Sequence, residues 1–579
     1  MIIIGINAYH ADASAAIFVD GKLIAAIEEE RFTRIKHWAG FPKRSIEFCL
    51  REAGIHWQDV DYYAIGRDPK AKMWNKLFYL AKNFGGSFNA LKDRYDNSRK
   101  VASTAEELSN ASGLPVTVFN NKIKNVEHHR SHLASAFFAS PFKNAACLSI
   151  DGSGDFSTTM TAVGNENHIS VLKSIDFPHS LGIFYTAFTQ LLGFPHYGDE
   201  YKVMGMAPYG NPIYADALDD VIRLTPDGLF KLNLKYFRKG TSGVISYNQD
   251  HVPEVAPMYS GLMIEKFGAV RKKEEALSQY HKDLAASVQK KTEQVIFHLL
   301  NHLQKQTGLF DVCIAGGVAQ NSVANGKITR NTAFKNVYIP SAGHDAGISI
   351  GAALFVQHEI AGLARQPIFS AYTGSKFSNE QIAKMLNEMN IPFTQMTDET
   401  LYDVVTDCLI DGGVVGWMSG RAEFGPRALG GRSIIADPRR KDAKELLNSK
   451  IKKRESFRPF APSILKEYVS EYFELDEPVP FMEKVFPIKK EMQQRVPAVT
   501  HVDGTGRLQS VDKEISARYY QLIETFRKKT GIPILLNTSF NENEPIVNDP
   551  EQALNCYLRT DMDMLVMENI LLQKQKKQT

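Results

Sequence analysis

The stretch AACLSIDGSGDFSTTMTAVGNENHISVLK, residues 145–173, decides the fold because it repeats the layout of residues 2–27. Each copy reads as an apolar strand, a loop, a second strand, a tight turn and a third strand. In the first copy the turn is Asp20-Gly21, a strong hairpin signal. Such an internal repeat predicts two similar α/β halves that face each other across a cleft. The loops after the first strands, residues 7–12 and 152–155, are expected to line that cleft, since such sheets bind ligands at the carboxyl ends of strands.

A histidine-rich segment, EHHRSHL at residues 127–133, stands just before the second copy. If it is helical, His128 and His132 project from one face, with the spacing that two imidazoles need to share one cation. Asp151, at the end of the following strand, can supply a carboxylate. Two imidazoles and a carboxylate suit iron(II), and manganese or zinc are alternatives. The alternative is a helix end whose rings are satisfied by backbone carbonyls, and these residues alone do not decide between the two.

Two later segments of the first domain carry candidate ligands. The apolar strand 310–315 leads into GGVAQN, residues 316–321, where paired glycines before a helix can present free N–H groups to a phosphate. Paired glycines also mark ordinary close packing. SAGHDAG, residues 341–347, then puts Asp345 at a second strand-to-helix junction, where it can face the same cleft as Asp151. The candidate nucleotide contacts are Gly316, Gly317 and Asn321 of the first segment, and Lys202, earlier in the chain, is a candidate anion contact.

A domain boundary is expected within residues 361–375, which lack periodicity and contain Pro367 and Gly374. We therefore expect domains at residues 1–360 and 375–579. A new α/β pattern begins at Asn379, with predicted helices and strands in the order 379–390, 392–395, 399–410 and 413–418.

The second domain is dense in arginine and glycine. Rigid turns hold guanidinium groups in the forked geometry that suits phosphate or carboxylate. Phe457 and Phe460 would be out of place in a solvated loop, so a nucleotide pocket is the favoured interpretation. The stretches concerned are SGRAEFGPRALGGRS (419–433), IKKRESFRPFAP (451–462), DGTGR (503–507) and LLNTSFN (535–541).

Composition narrows the class of protein. The 579 residues are too many for one core, and 44% are apolar and 23% charged, which is typical of globular chains. A net charge of +3 gives no global attraction for nucleic acid or an anionic membrane. The first residues of the chain are typical of a buried strand and not of a signal peptide. No apolar run approaches the roughly 18 residues of a membrane span. The five scattered cysteines form no disulfide framework, which indicates a cytoplasmic protein.

The motifs, taken in order, resemble the O-carbamoyltransferase family that includes the nodulation-factor and tobramycin carbamoyltransferases. The resemblance spans nearly the whole chain and rests on HHRSH, SIDGSGD, KVMGMAPYG, GGVAQN, GHDAGIS, GRAEFGPRALGGRS, KKRESFRPFAP and NTSFNENEP. It implies an α/β fold in which a duplicated actin-like ATPase (ribonuclease H-like) domain is followed by a YrdC-like α/β domain.

The resemblance also implies a reaction. In that family the YrdC-like domain joins carbamoyl phosphate to ATP, giving carbamoyl adenylate and pyrophosphate. The iron-containing first domain then transfers the carbamoyl group to a hydroxyl of a small-molecule natural product and releases AMP. By motif, His10 matches the catalytic histidine, and His128, His132, Asp151 and Asp345 match the metal ligands. The residues that match the adenylate-forming site are Arg427, Lys452, Arg458, Arg507, Asn537 and Ser539. We expect Mg²⁺ with ATP and, as a base-rate expectation only, a homodimer.

Two other functions stay open. A threonylcarbamoyl-type tRNA-modifying enzyme would favour a basic surface, whereas the net charge is only +3, so no nucleic-acid partner is expected. A regulatory nucleotide-binding module without turnover would have no obvious use for a second, arginine-rich phosphate site. Neither the acceptor nor the role of His129 follows from the sequence.

Overall fold

The computed structural model describes residues 1–82, 103–238 and 245–574, and the chain divides into two compact units, residues 1–368 and 369–579. Residues 69–98, in which lysines are interleaved with apolar residues, are predicted from the sequence to be helical with a solvated face. The structure describes a helix over Met73–Lys82, and residues 83–98 lie outside the described residues. Among the helices in these ranges, none combines the length and the apolar character that a bilayer span requires.

The first sheet of unit 1 is built from the first copy of the repeat. Its central strand β1 is a run of apolar residues buried beyond Ile2, and it pairs antiparallel with β2 and parallel with β4. The order across the sheet is β3-β2-β1-β4-β5. The strands are β1 (Ile2–Asn7), β2 (Ser14–Val19), β3 (Lys22–Glu28), β4 (Tyr62–Ile65) and β5 (Ile123–Asn125).

The second sheet has the same topology. Its strands are β6 (Asn144–Gly154), β7 (Ser157–Asn165) and β8 (His168–Asp176), followed later in the chain by β13 (Asp311–Ala315) and β14 (Asn336–Tyr338). The order β14-β13-β6-β7-β8 again puts an antiparallel hairpin beside parallel strands. The predicted α/β class and duplication are therefore confirmed. Between β8 and β13 lie two small hairpins, made of β9 (Ile222–Leu224), β10 (Phe230–Leu232), β11 (Ile245–Tyr247) and β12 (Pro253–Val255).

The helix Ile348–Phe355 joins the two halves of unit 1. Its small residues let backbones approach closely: a Cβ on Gly351 would lie 1.8 Å from the Ser131 carbonyl oxygen, and a Cβ on Gly5 of β1 would lie 1.7 Å from that of Ser349. The helix therefore lies against both the first sheet and the helix His128–Phe137. The other longer helices of unit 1 are Lys43–Ala53, Thr104–Ser112, Leu181–Leu191, Glu200–Met206, Gly261–Phe267 and Gln279–Thr307.

Unit 2 is built on a mixed sheet in the order β15-β24-β23-β16-β17-β22-β18-β21. Its strands are β15 (Thr394–Gln395), β16 (Val415–Met418), β17 (Arg432–Ala436), β18 (Ala461–Leu465), β21 (Gln509–Val511), β22 (Ile534–Ser539), β23 (Met564–Met567) and β24 (Ile570–Gln573), with β19 (Val485–Pro487) and β20 (Thr505–Arg507) as a separate pair. The longer helices are Asn379–Glu388, Asp398–Ile410, Ala517–Thr530 and Pro550–Arg559. The unit is α/β, and its relation to YrdC-like domains stays a prediction.

Candidate functional site

The helix His128–Phe137 begins at a capped end that fixes its first histidine. Glu127 accepts a hydrogen bond from the backbone N–H of Arg130 at 2.7 Å, and Asp155 accepts one from that of His128 at 2.9 Å. Almost the whole helix is buried, including all three of its histidines. His128 and His132 lie on one face, with ring centres 4.7 Å apart.

Four side chains converge at that face: His128, His132, Asp151 and Asp345 can each offer one ligand atom, and these atoms lie within 4.8 Å of one another. Asp151 Oδ2 is 3.1 Å from His128 Nε2 and 3.5 Å from His132 Nε2. Asp345 Oδ1 is 3.4 Å from His132 Nε2 and 3.8 Å from His128 Nε2. The two carboxylates therefore face the same pair of imidazole nitrogens.

Each carboxylate is oriented by a contact of its second oxygen. Gly317 donates its backbone N–H to Asp151 Oδ1 at 2.9 Å, and His10 Nδ1 lies 2.5 Å from Asp345 Oδ2. Gly317 follows β13 and His10 follows β1, so both sheets of unit 1 contribute to the site.

The cluster has a charge pattern that favours a cation. Burial favours the neutral acid, but the adjacent histidines outweigh it and hold the pKa values of Asp151 and Asp345 below the ordinary range. Burial likewise opposes the charged form of His132, but Asp151 and Asp345 raise its pKa to about 9. At His128 burial prevails and lowers the pKa. Two ionised carboxylates are thus held in a buried place.

The residues present fit a metal ion. Both ring nitrogens of His132 and Asp345 Oδ1 are buried and lack a hydrogen-bond partner within the described part of the chain, an arrangement that is costly unless something else binds them. Two imidazoles and two carboxylates suit a first-row divalent ion such as iron(II), manganese or zinc.

Two neighbouring residues shape this metal centre without joining the four-residue group. His129 turns its Nδ1 to Ser149 Oγ at 2.7 Å, so its ring points elsewhere. Gly154 makes room for His128, because a Cβ at that position would lie 2.1 Å from the ring. A second group, Asp12, Glu30 and His37, also has close ligand atoms, but His37 Nδ1 is already 2.7 Å from Asp12 Oδ1.

Unit 2 contains a polar site around the end of β22. Lys452 is almost fully buried, and its ammonium group donates to the Ser539 carbonyl and to the carbonyl and Oδ1 of Asn541, the latter two at 2.7 Å. Asn537 donates to the Ala428 carbonyl at 3.1 Å and to Gln509 Oε1 at 3.1 Å. It thus ties β22 to the residues that neighbour Arg427 and Arg507.

Arginines gather at the same site. Arg507 Nε is buried without a hydrogen-bond partner. Burial, followed by the positive charges of Arg427, Arg454 and Arg458, lowers the pKa of Arg507. Half-buried guanidinium groups that lie near enough to repel one another indicate an anion site.

The structure brings most of the sequence candidates into these two places. His10 and the four metal-ligand candidates meet in unit 1. The unit 2 candidates contact one another or influence one another electrostatically, some of them through a neighbouring residue. They are Arg427, Lys452, Arg458, Arg507, Asn537 and Ser539. Lys202 is instead paired with Asp199 at 2.7 Å.

The GGVAQN segment differs from its expected form. The helix after it is the single turn Ser322–Asn325, the Gly316 N–H donates to the Gly343 carbonyl, and Asn321 exchanges hydrogen bonds with Gln289. These groups already have partners within the protein, so nucleotide contacts through Gly316, Gly317 and Asn321 stay a prediction.

Two residues of the unit 2 site escaped the sequence analysis. Asn541 binds the Lys452 ammonium, and Arg454 joins the arginine group. Both lie inside motifs already recognised, Asn541 at the end of LLNTSFN and Arg454 in the middle of IKKRESFRPFAP. The charge of Arg454 and the acceptor oxygen of the Asn541 side chain were the available signals.

The chain matches known proteins over nearly its full length. The family description Carbamoyltransferase N-terminus matches residues 2–354, and Carbamoyltransferase C-terminus matches residues 406–574. The chain is 42% identical to protein sll1178 of Synechocystis, over 99% of this chain and 96% of that one. It is 37% identical to nodulation protein NolNO of Sinorhizobium fredii, over 98% of this chain and 80% of that protein. It is 39% identical to nodulation protein NolO of Bradyrhizobium diazoefficiens, over 78% of this chain and 79% of that protein.

Proposed function

The chain belongs to the carbamoyltransferase family, and from this we propose that it is an ATP-dependent O-carbamoyltransferase acting through carbamoyl adenylate on a hydroxyl of a small-molecule natural product. Membership confirms the family and the enzyme class that the ordered motifs indicated. The observation that carries the proposal is the buried group of His128, His132, Asp151 and Asp345 with His10 in contact with Asp345.

The first half-reaction is assigned to unit 2. For the atoms to balance, carbamoyl phosphate must first lose its phosphate to water, leaving carbamate. A carbamate oxygen then attacks the α-phosphorus of ATP, and the bond to the β,γ-diphosphate breaks. The products are carbamoyl adenylate, pyrophosphate and inorganic phosphate.

The residues of unit 2 suit this step because both substrates are anions. Arg427, Arg458 and Arg507 supply fixed positive charge, which stabilises the charge that develops in phosphoryl transfer. Lys452 holds the end of β22 through Ser539 and Asn541, so its charge is both buried and immobile. Mg²⁺ is expected with ATP in this half-reaction.

The second half-reaction is assigned to unit 1. A hydroxyl oxygen of the acceptor forms a bond to the carbamoyl carbon, and the bond between that carbon and the phosphate oxygen of AMP breaks. Asp345 lies against Nδ1 of His10 and so leaves Nε2 to take the hydroxyl proton. The products are a carbamate ester, AMP and one proton.

The metal site serves the same step. A divalent ion held by His128, His132, Asp151 and Asp345 supplies, when bound, a Lewis acid for the phosphate of the leaving AMP. We propose iron(II), on the chemistry of the donor set.

The proposal is tested by supplying the purified protein with ATP and carbamoyl phosphate. Pyrophosphate and inorganic phosphate should be released in equal amounts. Mass spectrometry on a panel of hydroxylated natural products should then find one whose mass increases by a carbamoyl group. Pyrophosphate release that does not depend on carbamoyl phosphate would contradict the proposal.

A further inference from the structure

Two tyrosines outside the metal-ligand and His10 motifs lie on segments that pack around His37, which is paired with Asp12 of the first cleft loop. Tyr197 precedes the helix Glu200–Met206, and Tyr247 ends β11. Among the described residues, neither phenol hydroxyl has a hydrogen-bond partner. Both side chains are half-buried, and neither hydroxyl is a fully buried unsatisfied group, so each is open to a bound substrate.

Tyr197 is held in place through His37. The two rings pack edge to face with centres 5.1 Å apart, and His37 is in turn paired with Asp12 at 2.7 Å. The next residue, Gly198, has φ +80°, and a Cβ there would lie 2.6 Å from His37 Nε2. The loop of Tyr197 is thus packed closely on His37, which is paired with Asp12 at the end of the first loop of the cleft.

Tyr247 is placed by the hairpin of β11 and β12. The backbone N–H of Ala39 donates to the His251 carbonyl at 3.0 Å, and the rings of Trp38 and His251 are 5.2 Å apart. The hairpin therefore rests on the residues that directly follow His37. In this way two distant segments bring their tyrosines to one place.

Both hydroxyl groups lie within reach of the charges of the site. Burial, together with the negative charges of Asp345 and Asp12, raises the pKa values of Tyr197 and Tyr247. The positive charge of Arg67 acts to lower the pKa of Tyr247. Arg67 Nη1 also donates to the carbonyl of Tyr9, the residue before His10, at 3.3 Å. The charges of Asp345 and Asp12 thus reach both phenols, and that of Asp151 reaches Tyr197 as well.

We propose that Tyr197 and Tyr247 form the acceptor subsite, in which their hydroxyl groups hydrogen-bond the substrate and hold its reacting hydroxyl beside His10. This inference rests on the proposed function. The two tyrosines bind and position the acceptor, whereas His10 takes the proton. Because neither tyrosine belongs to the donor-handling residues, acceptor choice can vary without change to the donor chemistry.

The test uses preformed carbamoyl adenylate, so that it does not depend on unit 2. The metal-loaded full-length protein receives this donor with methyl α-D-glucopyranoside as a probe acceptor, which competes with water. The ratio of carbamoylated glucoside to hydrolysed donor is measured for the wild type, Tyr197→Phe and Tyr247→Phe. The control is Tyr280→Phe, since the Tyr280 ring packs against Tyr214 and His281 and its buried hydroxyl has no partner among the described residues.

Each Phe variant should lower the ratio roughly tenfold through a higher apparent KM for the glucoside, with AMP release unchanged. The control should behave as the wild type. The proposal is overturned if both Phe variants keep the wild-type ratio, or if the wild type releases AMP but carbamoylates no glucoside at any concentration. Failure of pyrophosphate release from ATP and carbamoyl phosphate, with transfer from the preformed donor intact, would count against the proposed function alone.

Discussion

His10 Nδ1 lies 2.5 Å from Asp345 Oδ2, while Asp345 Oδ1 lies 3.4 Å from His132 Nε2. One carboxylate therefore contacts the proposed base with one oxygen and the metal centre with the other. His10 follows β1 in the first sheet, and Asp345 precedes the helix that joins the two halves. The orientation of the base thus depends on the packing of both halves of unit 1.

Replacing His10 by Asn should remove the proton acceptor and leave the metal ligands in place. Carbamoyl transfer is expected to fall by roughly 10²- to 10⁴-fold. Pyrophosphate release from ATP and carbamoyl phosphate should continue, because it is assigned to unit 2. Product mass spectrometry and a pyrophosphate assay on the same sample give both rates. Loss of both half-reactions would contradict the division of labour between the units.

Metal content should depend on His132 and not on His129. In His132→Ala the group of four loses a ligand, so the metal-to-protein ratio should fall severalfold in anaerobic elemental analysis. His129→Gln is the matched control: that ring is equally buried on the same helix but turns to Ser149. Equal metal loss in the two variants would argue against the assigned ligand set. A chelator should remove the metal from the wild type and abolish transfer.

The sequence was sufficient to predict the first three strands of each sheet of unit 1 because their signals are local. The strands of residues 2–27 and 145–173 alternate with turn residues, and their topology follows from the repeat. Contacts between distant segments could not be predicted. The Gly317 N–H was expected to contact a phosphate but donates to Asp151. This contact depends on the register in which Ala315 pairs with Ser149. Tyr197 and Tyr247 carried no motif, and only tertiary packing brings them to the site.

Gly154 should be intolerant of any side chain. A Cβ would lie 2.1 Å from the ring of His128, so Gly154→Ala must displace either the histidine or β6. We expect a destabilisation of about 1–3 kcal/mol and a lower metal content. Gly152→Ala offers a close control, because a Cβ at Gly152 meets nothing within 4 Å. Thermal unfolding and metal analysis of the pair check this, and similar results for the two alanine variants would refute it.

Arg507 should matter to adenylate formation alone. Its guanidinium is buried beside other arginines and its Nε lacks a partner, so Arg507→Gln removes charge from the proposed anion site. Pyrophosphate release should fall roughly 10²-fold, with transfer from preformed carbamoyl adenylate retained. Arg495→Gln, which removes a guanidinium that lies over the Tyr472 ring, serves as the control. If Arg507→Gln lost transfer from the preformed donor as well, a role confined to unit 2 would be excluded.

The Asp12–His37 pair should give the stability of the protein a specific pH dependence. Burial opposes the charged form of His37, but Asp12 outweighs it and raises the pKa of His37 from 6.5 to about 9. When folding raises the pKa of a histidine, protonation of that histidine stabilises the folded protein. The stabilisation is fully present when the pH is below the unfolded pKa, near 6.5, and is lost as the pH rises through the folded pKa of about 9. The melting temperature of the wild type should therefore fall across this window by more than that of His37→Gln. Parallel pH profiles for the wild type and His37→Gln, measured at constant ionic strength, would show that the pair carries no such linkage.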